Sequence, residues 1–283
     1  MRVKPFAKTG EQLCVIGQGT WNMPEGGAAL REAQRALRRG IELGMSHIDT
    51  AEMYGTGRVE ELVGDAIAGI ARERLFITTK VLPSNATYAG TLRAAESSLK
   101  RLRCDYLDLY LLHWPGAHPL EETMRALRTL VEQGKTRFVG VSNFEASEML
   151  EAAAHLGRVP LACNQVLYHL DERGVEHEVI PAARSAGIAI VAYTPFGRGS
   201  FLRGSGRRRE TLDEVARKHG ATPRQVVLAF LTAEPELFAI PKAARLEHVE
   251  ENAGAGRLEL DAGDLAAIDA VFPLGRRGPL ATL

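Results

Sequence analysis

Asp49 and Tyr54 lie five positions apart in the segment from Gly44 to Gly55, which has the pattern of a buried strand that ends in a loop. A carboxylate at a buried strand end stays charged only if a cation or several hydrogen-bond donors lie nearby. A tyrosine hydroxyl in such a loop can donate a proton, but its ordinary pKa of about 10 is too high for efficient acid catalysis at neutral pH. Both side chains therefore need partners from elsewhere in the chain.

Lys80 and His113 are the candidate partners, and each ends a predicted strand of its own. A lysine near Tyr54 would favour the phenolate and lower the pKa of Tyr54 toward neutrality, while Asp49 would keep the lysine charged. A neutral His113 would hydrogen-bond a substrate carbonyl oxygen and aim it at Tyr54. The set suits protonation of an oxygen whose carbon receives a hydride. Because no side chain supplies a hydride, a nicotinamide cofactor is implied.

Each of these four residues also has an ordinary structural interpretation. An aspartate at a strand end is often a turn former or a helix cap. A lysine there is often just solvated, a loop tyrosine often packs, and a histidine beside Trp114 could belong to the core. The functional interpretation rests on all four residues meeting at one edge of one sheet.

The elements that must position these residues alternate along the whole chain. Short apolar runs without polar alternation, typical of parallel strands buried on both faces, are predicted at 13–16, 46–50, 75–80, 106–112, 137–141, 161–166, 188–193 and 238–240. Helices are predicted at 28–43, 58–70, 89–103, 120–132, 146–156, 176–186, 211–219 and 223–233, with one more from about 245 and another at 262–271. Eight such units predict a single-domain (β/α)8 TIM barrel of the α/β class over residues 1–283, with its working residues at the carboxyl ends of the strands.

Composition excludes several other classes of function. The 283 residues carry no net charge, so nothing favours nucleic acid or an anionic membrane as a partner. Cys14, Cys104 and Cys163 form no CxxC motif, which favours a reducing compartment, and no cluster has the spacing of metal ligands. No signal peptide or run of about 20 apolar residues is present. We expect a cytoplasmic, monomeric protein without a metal.

Three motifs make the chain similar to the aldo-keto reductase family over essentially its whole length. The segment from Gly44 through Gly64 resembles the first family signature, Leu109–Trp114 resembles the catalytic-histidine strand, and Ile240–Lys242 opens the third signature. Asn164–Leu170 and the residues around Tyr54 resemble the bacterial methylglyoxal reductase-like branch. The resemblance implies reduction of aldehydes and ketones with NADPH, with Tyr54 as the acid.

The resemblance also implies which residues hold the nicotinamide end of the cofactor. Ser142, Asn143 and Gln165 match the positions that hydrogen-bond the carboxamide, and Tyr193 matches the aromatic residue that stacks on the ring. A loop over the pyrophosphate is implied at 197–209, and the segment that leads into it is Thr194, Pro195, Phe196 and Gly197.

The adenosine end departs from the family pattern. The residues that match are Lys242, Arg245, Glu251 and Asn252. Ala243 stands where the family has serine, and His248 stands where it has an arginine over the adenine and the 2′-phosphate. A neutral histidine offers neither the constant charge nor the planar fork of arginine. The sequence therefore predicts a preference for NADPH that is weaker than typical, with NADH as a second cofactor.

The substrate pocket is expected to include Trp21, Met53 and Trp114, which flank the catalytic strand ends. The short tail after Phe272, within a carboxyl-terminal segment at 253–283, implies an open site. We therefore expect tolerance for small carbonyl compounds, such as 2-oxoaldehydes of the methylglyoxal type.

Two other functions stay open at this stage. A Schiff-base lyase would use Lys80 as its nucleophile, although Asp49 would keep that amine protonated and poorly nucleophilic. Borohydride trapping with a carbonyl substrate would identify such an enzyme. A cofactor-sensing module on the same scaffold would bind the nucleotide without turnover.

Overall fold

A computed structural model describes residues 1–199 and 205–282. Its main sheet has eight parallel strands, and sheet order follows chain order. These strands are β3 Gln18–Gly19, β4 His47–Asp49, β5 Phe76–Val81, β6 Leu107–Leu112, β7 Thr136–Ser142, β8 Leu161–Leu167, β9 Ala189–Tyr193 and β10 Leu237–Ala239. The predicted α/β architecture with eight parallel strands is confirmed.

Helices connect successive strands and cover the sheet. They are α1 Gly27–Glu42, α2 Arg58–Ile67, α3 Tyr88–Leu102, α4 Leu120–Glu132, α5 Ala146–Leu156, α6 Val179–Ala186, α7 Arg207–Lys218, α8 Pro223–Leu231, α9 Leu246–Ala255 and α10 Ala262–Val271. Each buries one apolar face, as α4 does through Met124, Leu127 and Leu130. Among the described residues, no helix is long and apolar enough to cross a membrane.

Two isolated parallel bridges join the first and last strand segments of the sheet. Ile16 pairs with Ala239, and Gly19 pairs with Lys242. A Cβ atom at Gly19 would lie 2.5 Å from the carbonyl oxygen of Ile240. Glycine is therefore required where these two segments approach each other.

The prediction for the first strand was wrong. The run expected at 13–16 begins in β2, Gln12–Cys14, which pairs antiparallel with β1, Val3–Pro5. This amino-terminal hairpin lies outside the eight-stranded sheet and contributes Phe6, which packs edge-on against Phe76 and Phe238. An apolar run is buried equally well within a sheet or packed against its end. Hydrophobicity alone therefore did not distinguish a strand of the sheet from a hairpin outside it.

The segments near the carboxyl terminus also differ from the prediction. The loop expected at 197–209 ends earlier, because α7 begins at Arg207; it starts with a 3-10 turn at Gly197–Gly199, and residues 200–204 lie outside the described residues. The final segment contacts the residues that precede α5 and α6. There Arg277 contacts Glu178 at 2.5 Å, and the backbone N–H of Leu280 donates to Glu145 Oε1 at 2.6 Å.

Candidate active site

The four candidate catalytic residues meet where neighbouring strands end. Asp49 is the last residue of β4, Lys80 lies one residue before the end of β5, and His113 directly follows β6. Tyr54 begins a 3-10 turn in the loop after β4. Because parallel strands end at the same edge of a sheet, residues that are far apart in sequence come into contact here.

Lys80 and Asp49 form a buried ion pair beneath Tyr54. The Lys80 Nζ atom lies 2.6 Å from Asp49 Oδ1, and the two side chains are 0% and 2% exposed. Lys80 also donates to the Thr50 carbonyl oxygen at 2.9 Å and, through a longer contact of 3.4 Å, to the Tyr54 hydroxyl. Such pairing is what allows both charges to remain in an environment that excludes water.

The predicted direction of the Tyr54 pKa was wrong. Burial raises the pKa of Tyr54 above its usual value, and Asp49 adds to the rise, while the Lys80 charge opposes it without cancelling it. The difference arises because the hydroxyl is removed from water, which penalises the phenolate. Tyr54 is therefore protonated at neutral pH, the state that a proton donor requires, and Lys80 limits how far the pKa rises.

His113 is held neutral beside Tyr54. Burial and the nearby Lys80 charge lower the pKa of His113 to about 2. Its ring packs edge-on against Tyr54, with ring centroids 5.8 Å apart. The buried Nδ1 atom has no hydrogen-bond partner among the described residues, so this ring retains bonding capacity.

The loop that carries Tyr54 is held in an uncommon conformation. Gly55, Thr56 and Gly57 all have positive φ angles, and at 55° Thr56 is an outlier for a β-branched residue. Glu52 ties this loop to the one after β5, because its Oε1 atom accepts hydrogen bonds from the Leu82 backbone at 2.6 Å and from Asn85 Nδ2 at 3.0 Å. These constraints fix where the Tyr54 hydroxyl can lie.

A pocket of 150 Å³ opens above the ion pair, which is room for a group the size of an aromatic ring. The predicted residues that line it are Trp21, Asp49, Met53, Tyr54, His113, Trp114, Ser142, Asn143, Gln165, Tyr193, Thr194 and Lys242. Trp21 and Met53 are each 39% exposed and give the pocket an apolar rim. No group of His, Cys, Asp or Glu side chains suited to a metal ion occurs at 1–199 or 205–282.

The polar residues of the pocket form one hydrogen-bond network. Tyr193 donates its hydroxyl proton to Asn143 Oδ1 at 2.7 Å, and Asn143 Nδ2 donates to the His113 carbonyl oxygen at 3.1 Å. The Ser142 hydroxyl donates to the Gln165 carbonyl oxygen at 2.9 Å. Gln165 Nε2 in turn donates to Asp49 Oδ2 at 2.7 Å, which links the network to the ion pair.

Other predicted cofactor residues lie outside the described lining of this pocket. They are Pro195, Phe196, Gly197, Arg245, His248, Glu251 and Asn252. The guanidinium of Arg245 lies 2.7 Å from His248 Nε2, so the two candidate phosphate-binding residues are in contact. Glu251 accepts a hydrogen bond from the Thr222 hydroxyl at 2.8 Å, and Asn252 is buried.

Sequence reasoning missed three residues of the pocket lining. Gly19, Thr20 and Ile240 also line it, and the Thr20 hydroxyl donates to the Asp49 carbonyl oxygen at 2.8 Å. All three follow or end the first and last strands of the parallel sheet. The strand-end rule that selected the other residues would have selected Gly19 and Thr20, had the first strand been placed correctly. It applied directly to Ile240, which ends the strand predicted at 238–240.

Comparisons with known proteins agree with this geometry. The model of the Aldo/keto reductase family matches residues 15–272. A methylglyoxal reductase of Escherichia coli, YeaE, is 42% identical over 261 residues, which cover 92% of each chain. A glyoxal reductase of Bacillus subtilis is 36% identical over 95% of this chain and 93% of its own.

Solved structures give the same result. The crystal structure of an aldo/keto reductase from Klebsiella pneumoniae, in complex with NADP and acetate, has a TM-score of 0.91, with 39% identity over the full length of both chains. The family model matches most of the chain, and the relatives are similar over nearly their full lengths. Together these matches assign the chain to one family. This protein is a member of the aldo/keto reductase family.

Proposed function

We propose that this protein reduces small aldehydes and ketones to alcohols with NADPH. The observation that carries the proposal is the Tyr54 hydroxyl at a pocket, 3.4 Å from a lysine that is paired with a buried aspartate. A neutral His113 stands beside it. This arrangement suits proton donation to a carbonyl oxygen that is held between Tyr54 and His113.

The chain supplies the proton and the orientation. Tyr54 donates its hydroxyl proton to the carbonyl oxygen as the carbonyl carbon is reduced. Lys80, held charged by Asp49, stabilises the phenolate that forms. His113 donates a hydrogen bond to the same oxygen and fixes the direction from which Tyr54 protonates it.

NADPH, when bound, supplies the hydride. Ser142, Asn143 and Gln165 would hold its carboxamide and Tyr193 would stack on its ring; all four line the pocket. The retained bonding capacity of His113 and the exposed Lys242 at the pocket edge fit a polar ligand here. A relative of known structure binds NADP, which supports the assignment.

The substrate class follows from the pocket and the relatives. Two of the similar enzymes are a methylglyoxal reductase and a glyoxal reductase. The apolar rim of Trp21, Met53 and Trp114 lies next to Tyr54 and His113. The described final segment contacts the residues that precede α5 and α6, and none of its described residues lines the pocket. We therefore assign small 2-oxoaldehydes as substrates.

The proposal extends to the closure of the sheet and to the number of domains. The bridges between the first and last strand segments support a closed (β/α)8 barrel, formed by one domain over residues 1–283. A monomeric state and a cytoplasmic location stay predictions. Sedimentation analysis would check the first, and fractionation of cells would check the second.

The decisive experiment is NADPH consumption with methylglyoxal, comparing the wild type with Tyr54→Phe. We expect kcat to fall by roughly 10³-fold in the variant, in the range of lost general acid catalysis, because only the proton donor is removed. NADPH affinity, measured by fluorescence titration, should remain within about twofold, since the aromatic ring is retained.

Two outcomes would contradict the proposal. Tight NADPH binding by a wild type that reduces no member of a panel of small aldehydes would favour a cofactor-sensing module. Borohydride-dependent trapping of a substrate on Lys80 would favour a lyase, although the protonated state of Lys80 in the ion pair opposes this.

Cofactor preference is tested at the adenosine end. The His248→Arg variant should bind NADPH about five- to tenfold more tightly and leave NADH affinity unchanged, because an arginine adds a constant charge for the 2′-phosphate. Leu150→Arg adds the same charge at an exposed apolar position on α5 and serves as the control. Unchanged NADPH affinity in His248→Arg would remove His248 from the phosphate site.

A further inference from the structure

Gln165 connects the expected cofactor site to the catalytic ion pair. It lies on β8, is 2% exposed, and its Nε2 atom is 2.7 Å from Asp49 Oδ2. The other Asp49 oxygen is 2.6 Å from Lys80 Nζ. Asp49 thus divides its two oxygens between a cation and an amide that comes from a strand 116 residues away.

The chemistry of the contact fixes the orientation of the Gln165 amide. An ionised carboxylate only accepts hydrogen bonds, so the NH₂ group of Gln165 must face Asp49. The amide oxygen is then left for a donor in the pocket. Under the proposed function, the carboxamide of the nicotinamide would provide that donor.

We propose that Gln165 is a positioning residue for catalysis, which orients the Lys80–Asp49 pair beside Tyr54 in addition to contacting the cofactor. This inference rests on the proposed reductase activity. A residue that only held the carboxamide would need no bond to Asp49. The bond makes the electrostatics of the proton donor depend on the same side chain that contacts the nicotinamide.

The electrostatic reason follows from the charges around Tyr54. The Asp49 carboxylate raises the pKa of Tyr54, whereas Lys80 lowers it. The Gln165 donor disperses part of the Asp49 charge. Without this donor, Asp49 would neutralise Lys80 more completely, and the phenolate that forms during reduction would lose stabilisation.

The titratable groups around the Lys80–Asp49 pair determine the pH range in which the proposal can be tested. His113 and His47, which sense the Lys80 charge, have pKa values of about 2 and about 3. Burial raises the pKa of Cys163, next to Asp49, above its usual value. Tyr54 and Lys80 also titrate above their ordinary values. We therefore expect these five groups to keep their protonation states between about pH 6 and pH 9. Burial raises the pKa of Asp49 itself, and the Lys80 charge opposes that rise.

The experiment compares two substitutions of Gln165 with a control across that window. Gln165→Met keeps the volume and removes the donor, so kcat should fall about 10- to 100-fold at every pH. Gln165→Glu places a second carboxyl group beside Asp49, which strongly raises the pKa of one of the two. When protonated, Glu donates the same hydrogen bond as Gln. The ratio of its kcat to that of the wild type should therefore fall at least about tenfold between pH 6 and pH 9.

Ser142→Ala is the matched control, because Ser142 is assigned to the same carboxamide and its hydroxyl donates to the Gln165 carbonyl oxygen and not to Asp49. It should weaken NADPH binding, while its kcat relative to the wild type stays constant with pH. A pH-independent ratio for Gln165→Glu, matching Ser142→Ala, would overturn the positioning role. If Gln165→Met fails to fold, the pH response of Gln165→Glu still tests the positioning role. A wild type without reductase activity would instead overturn the proposed function on which this inference rests.

Discussion

Two buried carboxylates at opposite ends of the same sheet are paired in different ways. Asp49, at the carboxyl end of β4, has one cation and one amide as partners, at 2.6 and 2.7 Å. Asp108, near the amino end of β6, is 0% exposed and accepts hydrogen bonds from Arg72 at 2.5 Å and from Arg137 at 2.9 Å. It also accepts a hydrogen bond from the Ile77 backbone at 2.8 Å.

The difference lies in what the cations can still do. Each arginine that contacts Asp108 presents a rigid fork, and Arg137 also contacts Glu11 of the amino-terminal hairpin. Lys80 is a point charge with three donors, and one of them points to Tyr54 over a long 3.4 Å contact at the pocket. The pairing of Asp108 with its two arginines, here called the lower pair, joins strands and the hairpin. The Lys80–Asp49 pairing, the upper pair, leaves one interaction to strengthen when Tyr54 gives up its proton.

The largest effects on activity and stability are expected from a substitution of Lys80. In Lys80→Met, kcat should fall by roughly 10³-fold or more, because the phenolate loses its cation. The free energy of unfolding should fall by about 3–5 kcal/mol, since Asp49 is left buried without a partner charge. Steady-state kinetics and urea denaturation measure the two effects.

A double variant separates these two losses. Asp49→Leu combined with Lys80→Met replaces the buried pair by apolar groups, which should recover most of the stability but none of the activity. If the double variant recovered both stability and activity, or neither of them, the upper pair would not combine a stabilising role with a catalytic one.

The Asp108→Asn variant tests whether the lower pair acts independently of the upper pair. Loss of the charge between Arg72 and Arg137 should lower the free energy of unfolding by about 2–4 kcal/mol. The kcat of the folded protein should stay within about twofold of the wild type, because Asp108 lies away from the pocket. A large drop in kcat at unchanged stability would mean that the two ends are coupled.

The smallest effect is expected at a third carboxylate, Asp264 on α10. Although burial opposes it, hydrogen bonds from Lys218 and His219 lower the pKa of Asp264 to about 2. Because the folded pKa lies below the unfolded value, this stabilisation is complete above about pH 5 and is lost as the pH falls through about 2. Asp264→Asn should cost roughly 1–2 kcal/mol at pH 7 and less than about 0.5 kcal/mol near pH 2. Equal destabilisation at both pH values would contradict the assigned charge interaction.

Much of the parallel sheet and helix scaffold followed from local patterns. Helices such as α4 and α5 were predicted with the bounds that the structure gives them, because amphipathic spacing and a glycine stop are local signals. The four residues Asp49, Tyr54, Lys80 and His113 were found because each occupies or follows a strand end. Their catalytic roles stay predictions until the variants are measured.

What the sequence determined by itself was the order of strands and helices and the set of polar residues at the strand ends. The tertiary structure decided the rest: the amino-terminal hairpin beside Phe6, the two arginines on Asp108, the bond from Gln165 to Asp49, and the upward direction of the Tyr54 pKa. Hydrophobic periodicity depends on neighbours a few residues apart. Burial and hydrogen bonding depend on segments more than 100 residues apart, such as β4 and β8, that meet only when the sheet curves.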